Sequence, residues 1–325
     1  MSGEVRKSAV TGASGFLGER LLEILMPEGE VRALFRREDG RAASWAERGC
    51  RIVIGDLQNV PSLRELVQGV ETVYHCAATM VKSDAQLSHQ VNVLGTENVA
   101  RAARAAGVRR FVYVSSISVY SATRRRDNVL TEEIEPKNTG RLNNYARTKY
   151  EGELAVRRLG TAQGLPYTII RPTNIYGIRS GPWFRQWAHW LRRIPLAIGD
   201  IPIDAVYVDD VVDALIAAGR SPAAENGVFN IGHEMVKMNR IILEIGRVTG
   251  RRVRLLPGGT DRAVRLAVDR LYRTATGASL SPSLTRAVYY PHAKAGQAFG
   301  YAPRVKLAEG FARISKLYRA NSKEE

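Results

Sequence analysis

The chain has only two cysteines, Cys50 and Cys76, among its 325 residues. They are too few for a disulfide framework or a zinc site, so both are interpreted as small buried apolar residues. The five histidines have no metal-ligand spacing, which predicts no metal site. No apolar run approaches the ~18 residues of a membrane span, and no long apolar signal segment precedes Thr11. These absences predict a cytoplasmic protein without a metal.

Charge of one sign dominates the chain, whose formal net charge is +16. Residues 236–325 hold 18 lysines and arginines against 6 acids. Such an excess attracts nucleic acid, anionic lipid or a phosphorylated substrate, but a solvated basic surface explains it equally well. Aromatic residues are not interleaved with the basic ones in an RNA-binding pattern, so we predict no nucleic-acid partner.

Short β-rich runs alternate with helical stretches through the first half of the chain. The predicted strands are 5–10, 31–35, 51–54, 72–75, 110–115 and 167–170. The predicted helices are 18–25, 61–68, 88–106 and 144–159. Apolar strands that alternate with helices indicate parallel strands covered on both faces. The fold class is therefore α/β, with a doubly wound parallel sheet.

The alternation ends after Arg171, where prolines and glycines interrupt the next thirty residues. Residues 206–208 are predicted to be a strand that returns to the sheet, followed by a helix at 209–218 and another strand at 228–231. A second lobe is therefore expected to be assembled from interrupted segments, without a clean linker.

A glycine-rich turn, Thr11-Gly12-Ala13-Ser14-Gly15-Phe16-Leu17-Gly18, follows the first strand and opens a helix. In this context backbone amides and the helix N-terminus bind a pyrophosphate. Gly12 permits the tight turn, Gly15 lets a phosphate approach the backbone, and Gly18 lets the helix pack on the strand. The turn predicts a dinucleotide site that includes Ser14, Phe16 and Leu17.

The end of the second predicted strand is expected to contact the adenosine ribose. An acid there accepts from the 2′-hydroxyl of NAD, whereas arginine accommodates the 2′-phosphate of NADP. The chain has Arg36 there, which favours NADP, although Arg36 can also stack on the adenine or face solvent. Asp56, after the third strand, is predicted to meet the adenine amino group or to cap its own turn.

Tyr145 and Lys149 are four residues apart on a predicted helix and share one face. A nearby cation favours the phenolate of a tyrosine, whose unperturbed pKa is ~10. Ser116, at the end of a predicted strand, is expected to hydrogen-bond a substrate carbonyl or hydroxyl. A Tyr-x-x-x-Lys pair is a frequent coincidence, but together with the glycine turn it indicates a proton-transfer site beside a nicotinamide cofactor.

These motifs closely resemble those of the extended short-chain dehydrogenase/reductase family, within the NAD-dependent epimerase/dehydratase superfamily. The resemblance covers nearly the whole chain and includes Thr11 to Gly18, Gly55-Asp56-Leu57, His75 to Ala78, Asn92, Val114-Ser115-Ser116, Tyr145 to Lys149, Arg171-Pro172 and Tyr176-Gly177. It implies that Ser116, Tyr145 and Lys149 are catalytic.

The same resemblance implies the remaining cofactor site and the domain division. Ala77 and Ala78 are expected to line the groove and Pro172 to lie near the nicotinamide. Further members of the predicted cofactor site are Leu57, Asn92, which orders the site, Ser115, Tyr145 and Lys149. Residues 1–170 are predicted to form a Rossmann domain to which 204–232 return, while 171–203 and 233–325 form a substrate-binding lobe.

Branches of this family differ near the catalytic strand. Sugar dehydratases place an acid pair after the strand serines, where this chain has Ile117 and Ser118, and epimerases usually place an arginine where it has Ile203-Asp204-Ala205. The pattern is closer to dihydroflavonol reductases and 3β-hydroxysteroid dehydrogenases. A cluster of aromatic residues fits an apolar pocket or a structural core equally well; it contains Trp183, Phe184, Trp187 and Trp190.

The sequence therefore predicts an oxidoreductase that prefers NADP, accepts NAD as an alternative, and acts on a bulky, fairly apolar ketone or alcohol. The alternatives are a nucleotide-sugar epimerase and a non-catalytic cofactor-binding protein. The resemblance also implies a homodimer through helices 92–106 and 145–159. Residues 262–273 are predicted to form a basic amphipathic helix, which either touches an anionic membrane or covers the substrate lobe with its charged face in water.

Overall fold

The computed structural model describes residues 6–81, 84–123, 125–177, 184, 187–189, 191–192, 195–197, 202–255, 270 and 287–321. Its strands are β1 Arg6–Thr11, β2 Gly29–Phe35, β3 Arg51–Ile54, β4 Thr72–His75, β5 Arg110–Val114, β6 Tyr167–Pro172, β7 Asn174–Tyr176, β8 Leu196–Ala197, β9 Pro202–Tyr207, β10 Gly227–Ile231, β11 Glu234–Lys237 and β12 Arg254–Leu255.

Its α-helices are α1 Phe16–Leu25, α2 Gly40–Glu47, α3 Val60–Val67, α4 Ala85–His89, α5 Gly95–Ala105, α6 Asn144–Gln163, α7 Val208–Arg220, α8 Met238–Val248, α9 Ala293–Phe299 and α10 Leu307–Asn321. A π-helical turn, Gln90–Leu94, joins α4 to α5. Side-chain caps fix several helix starts, and the Asn143 carboxamide, for example, accepts from the amide of Ala146 at the start of α6.

Seven parallel strands form the main sheet in the order β10-β6-β5-β4-β1-β2-β3. The chain runs outward from β1 to β3 and then returns to the other side of β1 with β4. Ligands of such sheets bind outside the carboxyl ends of the strands, at the point where the order reverses. Here that point lies between β1 and β4, which directs attention to Thr11 and His75, partners at the carboxyl ends of these strands.

Apolar cores cover both faces of the main sheet, because its strands are largely buried. One core contains residues of α1, α2 and α7 against β1, β2 and β6. The other contains residues of α3, α5 and α6 against the opposite face of the sheet. This sandwich confirms the predicted doubly wound fold. Arg6 and Lys7 of the first strand are exposed at its start, whereas the polar Ser8 and Thr11 are buried with Ala9 and Val10.

One strand prediction was wrong. The predicted strand at 206–208 does not return to the main sheet, because β9 pairs with β7 and β11 in a separate three-stranded sheet. Val208 already belongs to α7, which packs on the main sheet, and β10 does return to it, beside β6. A strand pattern shows that a segment is extended, but it does not identify the neighbour of that strand.

Helices α8, α9 and α10 were not predicted, and earlier in the chain the helix predictions differed in two places. Helix α2 was not predicted; Asp39 caps it by accepting from the amides of Arg41 and Ala42. The predicted helix 88–106 is divided by the π turn between α4 and α5.

A third core, formed by α8, α10 and the small sheet, supports the second lobe. In the described residues no helix is both long enough and apolar enough to cross a membrane. The predicted basic helix at 262–273 lies outside the described residues except for Arg270, as do Trp183 and Trp190 of the aromatic cluster. Phe184 and Trp187 pack in the core of the second lobe, which favours their interpretation as core residues over that of pocket residues.

Candidate active site

The backbone after β1 lies directly against the backbone after β4. A Cβ atom at Gly12 would lie 2.6 Å from the amide nitrogen of Ala77, and Gly12 has a φ of +71°. Both observations require glycine at this position, because a side chain would collide and the conformation is strained for other residues. The close approach forms the floor of a crevice at the reversal point of the sheet.

The glycine turn leads into the N-terminus of α1 as predicted. Gly18 lies against the turn itself, since a Cβ atom there would lie 2.2 Å from the carbonyl oxygen of Gly12. Gly15 is exposed and precedes the first residue of α1, Phe16. Exposed backbone beside a helix N-terminus fits the pyrophosphate of a dinucleotide, because amides and the helix dipole both favour negative charge.

Two arginines lie where the adenosine half is expected. Arg36 is exposed directly after β2. Arg41, which the sequence analysis did not single out, donates from Nη1 to the carbonyl oxygen of Ser14 at 3.2 Å. Asp56 is exposed, and its Oδ1 accepts from the amides of Gln58 and Asn59, so the local capping role is the one that the structure supports.

A fully buried histidine at the end of β4 links the two sides of the crevice. His75 Nδ1 lies 2.6 Å from the Thr11 hydroxyl, and Nε2 lies 2.9 Å from the Thr96 hydroxyl. Thr96 donates its own proton to the carbonyl oxygen of Asn92, so His75 donates from Nε2 and accepts at Nδ1. Burial, followed by the charge of Lys149, lowers the pKa of His75 to about 3, which keeps the ring neutral.

Asn92 extends this connection to α6. Its Oδ1 accepts from the amide of Thr79, and its Nδ2 donates to the Thr79 carbonyl and to the Thr148 hydroxyl. Asn92 is fully buried, so its side chain contacts protein groups and not the open crevice. Asn92 is therefore a positioning residue, which matches the predicted ordering role but not a direct cofactor contact.

Ser116 and Tyr145 are brought together as predicted. Ser116 Oγ accepts from the amide of Ser118 at 3.1 Å, which leaves its hydroxyl proton for another partner. That partner is the phenol of Tyr145 on the first turn of α6. Burial raises the pKa of Tyr145, and the hydrogen bond from Ser116 opposes this effect. The phenol is therefore protonated at neutral pH and able to donate.

Lys149 lies one turn further along α6 and is 2% exposed. Its Nζ lies 4.3 Å from the centre of the Tyr113 ring, a cation–π contact. Burial lowers the pKa of Lys149 to about 7, while the charge of Glu153 acts in the opposite direction. Cys76 is only half-buried, contrary to the prediction, because it lies beside the crevice.

The other predicted cofactor residues are divided between the crevice and the protein interior. Ala77 is half-buried and Ala78 exposed at the end of β4, whereas Leu57 and Pro172 are buried. Ser115 is 3% exposed, and its hydroxyl donates to the carboxylate of Glu153, so it is directed away from a cofactor.

Glu153 and Arg171 form a buried ion pair that was not predicted from the sequence. Arg171 donates from Nε and Nη2 to the two carboxylate oxygens of Glu153, at 2.9 and 2.5 Å, and both side chains are fully buried. A sequence signal was present: Glu153 follows Tyr145 and Lys149 at intervals of four, which places all three on one helical face. A charged helical residue is usually exposed, so the spacing alone was not read as a site.

Together, the crevice, the exposed glycine turn and the adjacent Ser116 and Tyr145 side chains give the geometry of a Rossmann-type protein. A family model described as the NAD dependent epimerase/dehydratase family matches residues 8–232. The chain belongs to that family, as its motifs predicted.

Its curated relatives include both reductases and epimerases. A 4-hydroxy-2-methyl-3-oxo-4-farnesyl-3,4-dihydroquinoline-1-oxide ketoreductase of Stigmatella aurantiaca is 30% identical, over 94% of each chain. A UDP-glucose 4-epimerase of Mycolicibacterium smegmatis is 31% identical, over 97% of this chain and 99% of its own length. A 3-beta-hydroxysteroid dehydrogenase of Mycolicibacterium neoaurum is 32% identical over 64% of this chain and 59% of its own, in agreement with the predicted branch.

A solved structure, MoeE5 in complex with UDP-glucose and NAD, has the same fold. It is 26% identical to this chain, superposes with a TM-score of 0.75, and covers 98% of this chain and 99% of its own. The family and this neighbour agree on a nicotinamide cofactor, whereas the relatives differ in reaction.

His75 predicts a specific dependence of stability on pH. Its folded pKa of about 3 lies below the unfolded value of 6.5, so its contribution is complete above pH 6.5 and is lost as the pH falls toward 3. In the His75→Gln variant, the free energy of unfolding measured with urea should lose about 2–3 kcal/mol less than in wild type between pH 6.5 and pH 4.5. His89→Gln, which removes an exposed histidine, is the control. Parallel curves for wild type and His75→Gln would contradict the neutral buried ring.

Proposed function

We propose that this protein is a carbonyl reductase and alcohol dehydrogenase that uses Tyr145 as its proton donor. The observation that supports reduction most directly is the protonated, half-buried phenol hydrogen-bonded to Ser116. A bound nicotinamide cofactor supplies the hydride, and the glycine turn with α1 holds its pyrophosphate. Ser116 orients the substrate oxygen.

The proton balance follows from these residues. As the carbonyl carbon is reduced, the O–H bond of Tyr145 breaks and its proton moves to the substrate oxygen, which becomes a hydroxyl. The resulting phenolate is stabilised by the hydroxyl of Ser116 and by the ammonium of Lys149 on the same helical face. In the oxidation direction the same groups act in reverse.

Residues near the substrate lobe favour reduction over nucleotide-sugar epimerisation. Nucleotide-sugar epimerases usually carry an arginine close to the position of Asp204. Asp204 itself is buried, with an exposed fraction of 4%. Its Oδ1 accepts from the Thr173 hydroxyl and from the amide of His233. A buried acid bonded in this way gives no cation to hold a diphosphate. The full-length similarity to a UDP-glucose 4-epimerase nevertheless keeps epimerisation as the second candidate, and the substrate proposed is a bulky, fairly apolar ketone.

Tyr145→Phe tests the proposed proton donor. The variant should reduce a panel of apolar ketones about 10² to 10⁴ times more slowly than wild type, because the donor is lost. The readout is NADPH absorbance, and NADPH affinity should change little. The control is Tyr150→Phe, which removes a phenol of the same helix that donates to Glu135 at 3.0 Å.

Each other outcome identifies an alternative. Wild-type protein that retains NAD through purification and gives no net turnover supports the epimerase. A Tyr145→Phe variant with wild-type turnover contradicts the proposed mechanism, and cofactor binding with neither redox nor epimerase turnover in wild type supports a non-catalytic protein.

The cofactor is proposed to be NADP in preference to NAD. Arg36 and Arg41 lie on the adenosine side of the glycine turn, and one of the carboxylates between them, Asp39, is occupied by the amides of Arg41 and Ala42 and by the Arg41 guanidinium. Guanidinium groups bind phosphate through charge-assisted hydrogen bonds, which a ribose hydroxyl does not reproduce.

Arg36→Ala and Arg41→Ala should each weaken NADP binding about tenfold or more while changing NAD binding by less than about threefold. Thermal shift and fluorescence titration with both cofactors measure this. Arg51→Ala removes the same charge at the amino end of β3, far along the strand from the crevice, and is the matched control. Equal or better stabilisation of wild type by NAD would rule out the NADP proposal.

A homodimer through α5 and α6 is also proposed. These helices pack side by side, and Leu94 and Leu154, just before α5 and on α6, are 43% and 45% exposed. A second copy of the same helices would cover these leucines in a symmetric contact.

Leu154→Glu should convert a dimer into a monomer, because it places a charge in the apolar contact. Light scattering coupled to size exclusion measures the mass. Leu317→Glu, which changes a leucine of similar exposure on α10, should leave the dimer intact. A monomeric wild type would refute the proposed contact.

A further inference from the structure

Three elements of the proposed site meet at one buried carboxylate. Glu153 lies on α6, two turns after Tyr145, and is fully buried. It accepts from the hydroxyl of Ser115, the residue before Ser116 at the end of β5. It also accepts twice from Arg171, the residue before Pro172 at the end of β6.

The register of the main sheet explains this meeting. Val114 is the partner of Ile170, and the amide of Ser115 donates to the carbonyl oxygen of Ile170 at 2.7 Å. Ser115 and Arg171 therefore emerge beside each other at the carboxyl edge of the sheet. Glu153 lies over that edge and satisfies both donors.

The arrangement extends beyond the ion pair. Arg171 donates from Nη1 to the phenol of Tyr120, whose hydroxyl donates to the carbonyl oxygen of Thr131 at 3.1 Å. Tyr120 belongs to the 3₁₀ turn that Ser116 caps. The ion pair therefore contacts the segment on both sides of Ser116, which limits the movement of its hydroxyl relative to Tyr145.

Glu153 also supplies the negative charge that Lys149 needs. The two residues are four apart on α6, and both are at least 98% buried. Burial alone disfavours an ammonium, and Glu153 is the first favourable influence on the charge of Lys149. If Glu153 were neutral, Arg171 would keep its proton and Lys149 would lose its own more readily. The other titratable or charged groups around Lys149 and Glu153 include His75 on β4, Cys76 directly after it, Tyr113 on β5, Tyr120 in the turn after Ser116, Arg171 on β6, and Tyr145, Tyr150 and Arg157 on α6.

We propose that Glu153 is a positioning residue: it holds the strand ends of Ser116 and Pro172 against α6, and its buried carboxylate, one turn from Lys149, stabilises the charged form of that side chain. This inference rests on the roles of Tyr145 and Lys149 in the proposed function. Glu153 is proposed to act in two ways: mechanically, through its hydrogen bond from Ser115, and electrostatically, on Lys149. A separate variant tests each contribution.

Glu153→Gln removes the charge with little change of shape. The alkaline limb of the pH–rate profile for ketone reduction should move about one pH unit lower, because Lys149 then loses its proton at lower pH. The alkaline limb of NADPH binding, followed by nicotinamide fluorescence, should move in the same direction and needs no turnover. Glu151→Gln removes a charge two residues away on the same helix, where the side chain is 36% exposed, and should move neither limb.

Ser115→Ala removes the hydrogen bond from Ser115 to Glu153 but leaves the Glu153–Arg171 ion pair and its charges in place. Its turnover should fall about tenfold, with the alkaline limb unmoved. A folded Glu153→Gln protein with an unmoved limb overturns the electrostatic part. Wild-type turnover in Ser115→Ala overturns the mechanical part, and this arm remains decisive even if Glu153→Gln does not fold.

Failure of the proposed function has a different signature. Wild-type protein that binds NADPH but reduces no ketone contradicts the reductase. The binding profiles of wild type and Glu153→Gln still test Glu153 in that case, because they depend on Lys149 and not on the reaction. Identical binding profiles would overturn the electrostatic part of the inference and leave the proposed function untouched.

Discussion

The approach of two backbone segments, after β1 and after β4, governs the geometry of the site. Gly12 touches the chain at Ala77 with no room for a side chain. Behind this contact, His75 joins Thr11 to Thr96 through hydrogen bonds with defined donors. Because the sheet is parallel and buried, the strand ends cannot shift separately. The glycine turn, the crevice and α6 are consequently held in one fixed relation.

Three charged side chains of this site are buried in the protein interior. Lys149, Glu153 and Arg171 are all buried, and removing such groups from water costs several kcal/mol per ion. Attraction between Glu153 and Arg171 offsets much of this cost, so the ion pair adds little to the free energy of unfolding. Its main effect is to fix the positions of the groups around it. The same burial sets the protonation of the nearby phenol. Packing and acid–base chemistry are therefore inseparable in this part of the molecule.

Most of the fold and part of the site were predictable from the sequence. Strands such as 167–170, whose Thr168, Ile169 and Ile170 are β-branched, have the composition of a buried sheet, and the Tyr145–Lys149 spacing places both on one face of a helix. The pairing of β9 was not predictable, because an extended pattern carries no information about its neighbour. Glu153 was missed for a related reason: its burial depends on Ser115 and Arg171, which are distant in sequence and meet only through the strand register.

The π turn at Gln90–Leu94 has a consequence for how this chain tolerates change in length. It accommodates one more residue per turn than an α-helix, and Asn92 lies at its centre. One residue added to a regular α-helix would rotate one half by about 100° relative to the other, whereas the π turn absorbs the extra residue. Deleting a single residue here would restore a regular helix with α4 and α5 in nearly the same orientation, but it would move Asn92 out of its hydrogen bonds with Thr79. A single-codon deletion in this turn would therefore disturb the crevice more than many substitutions along the exposed face of α5.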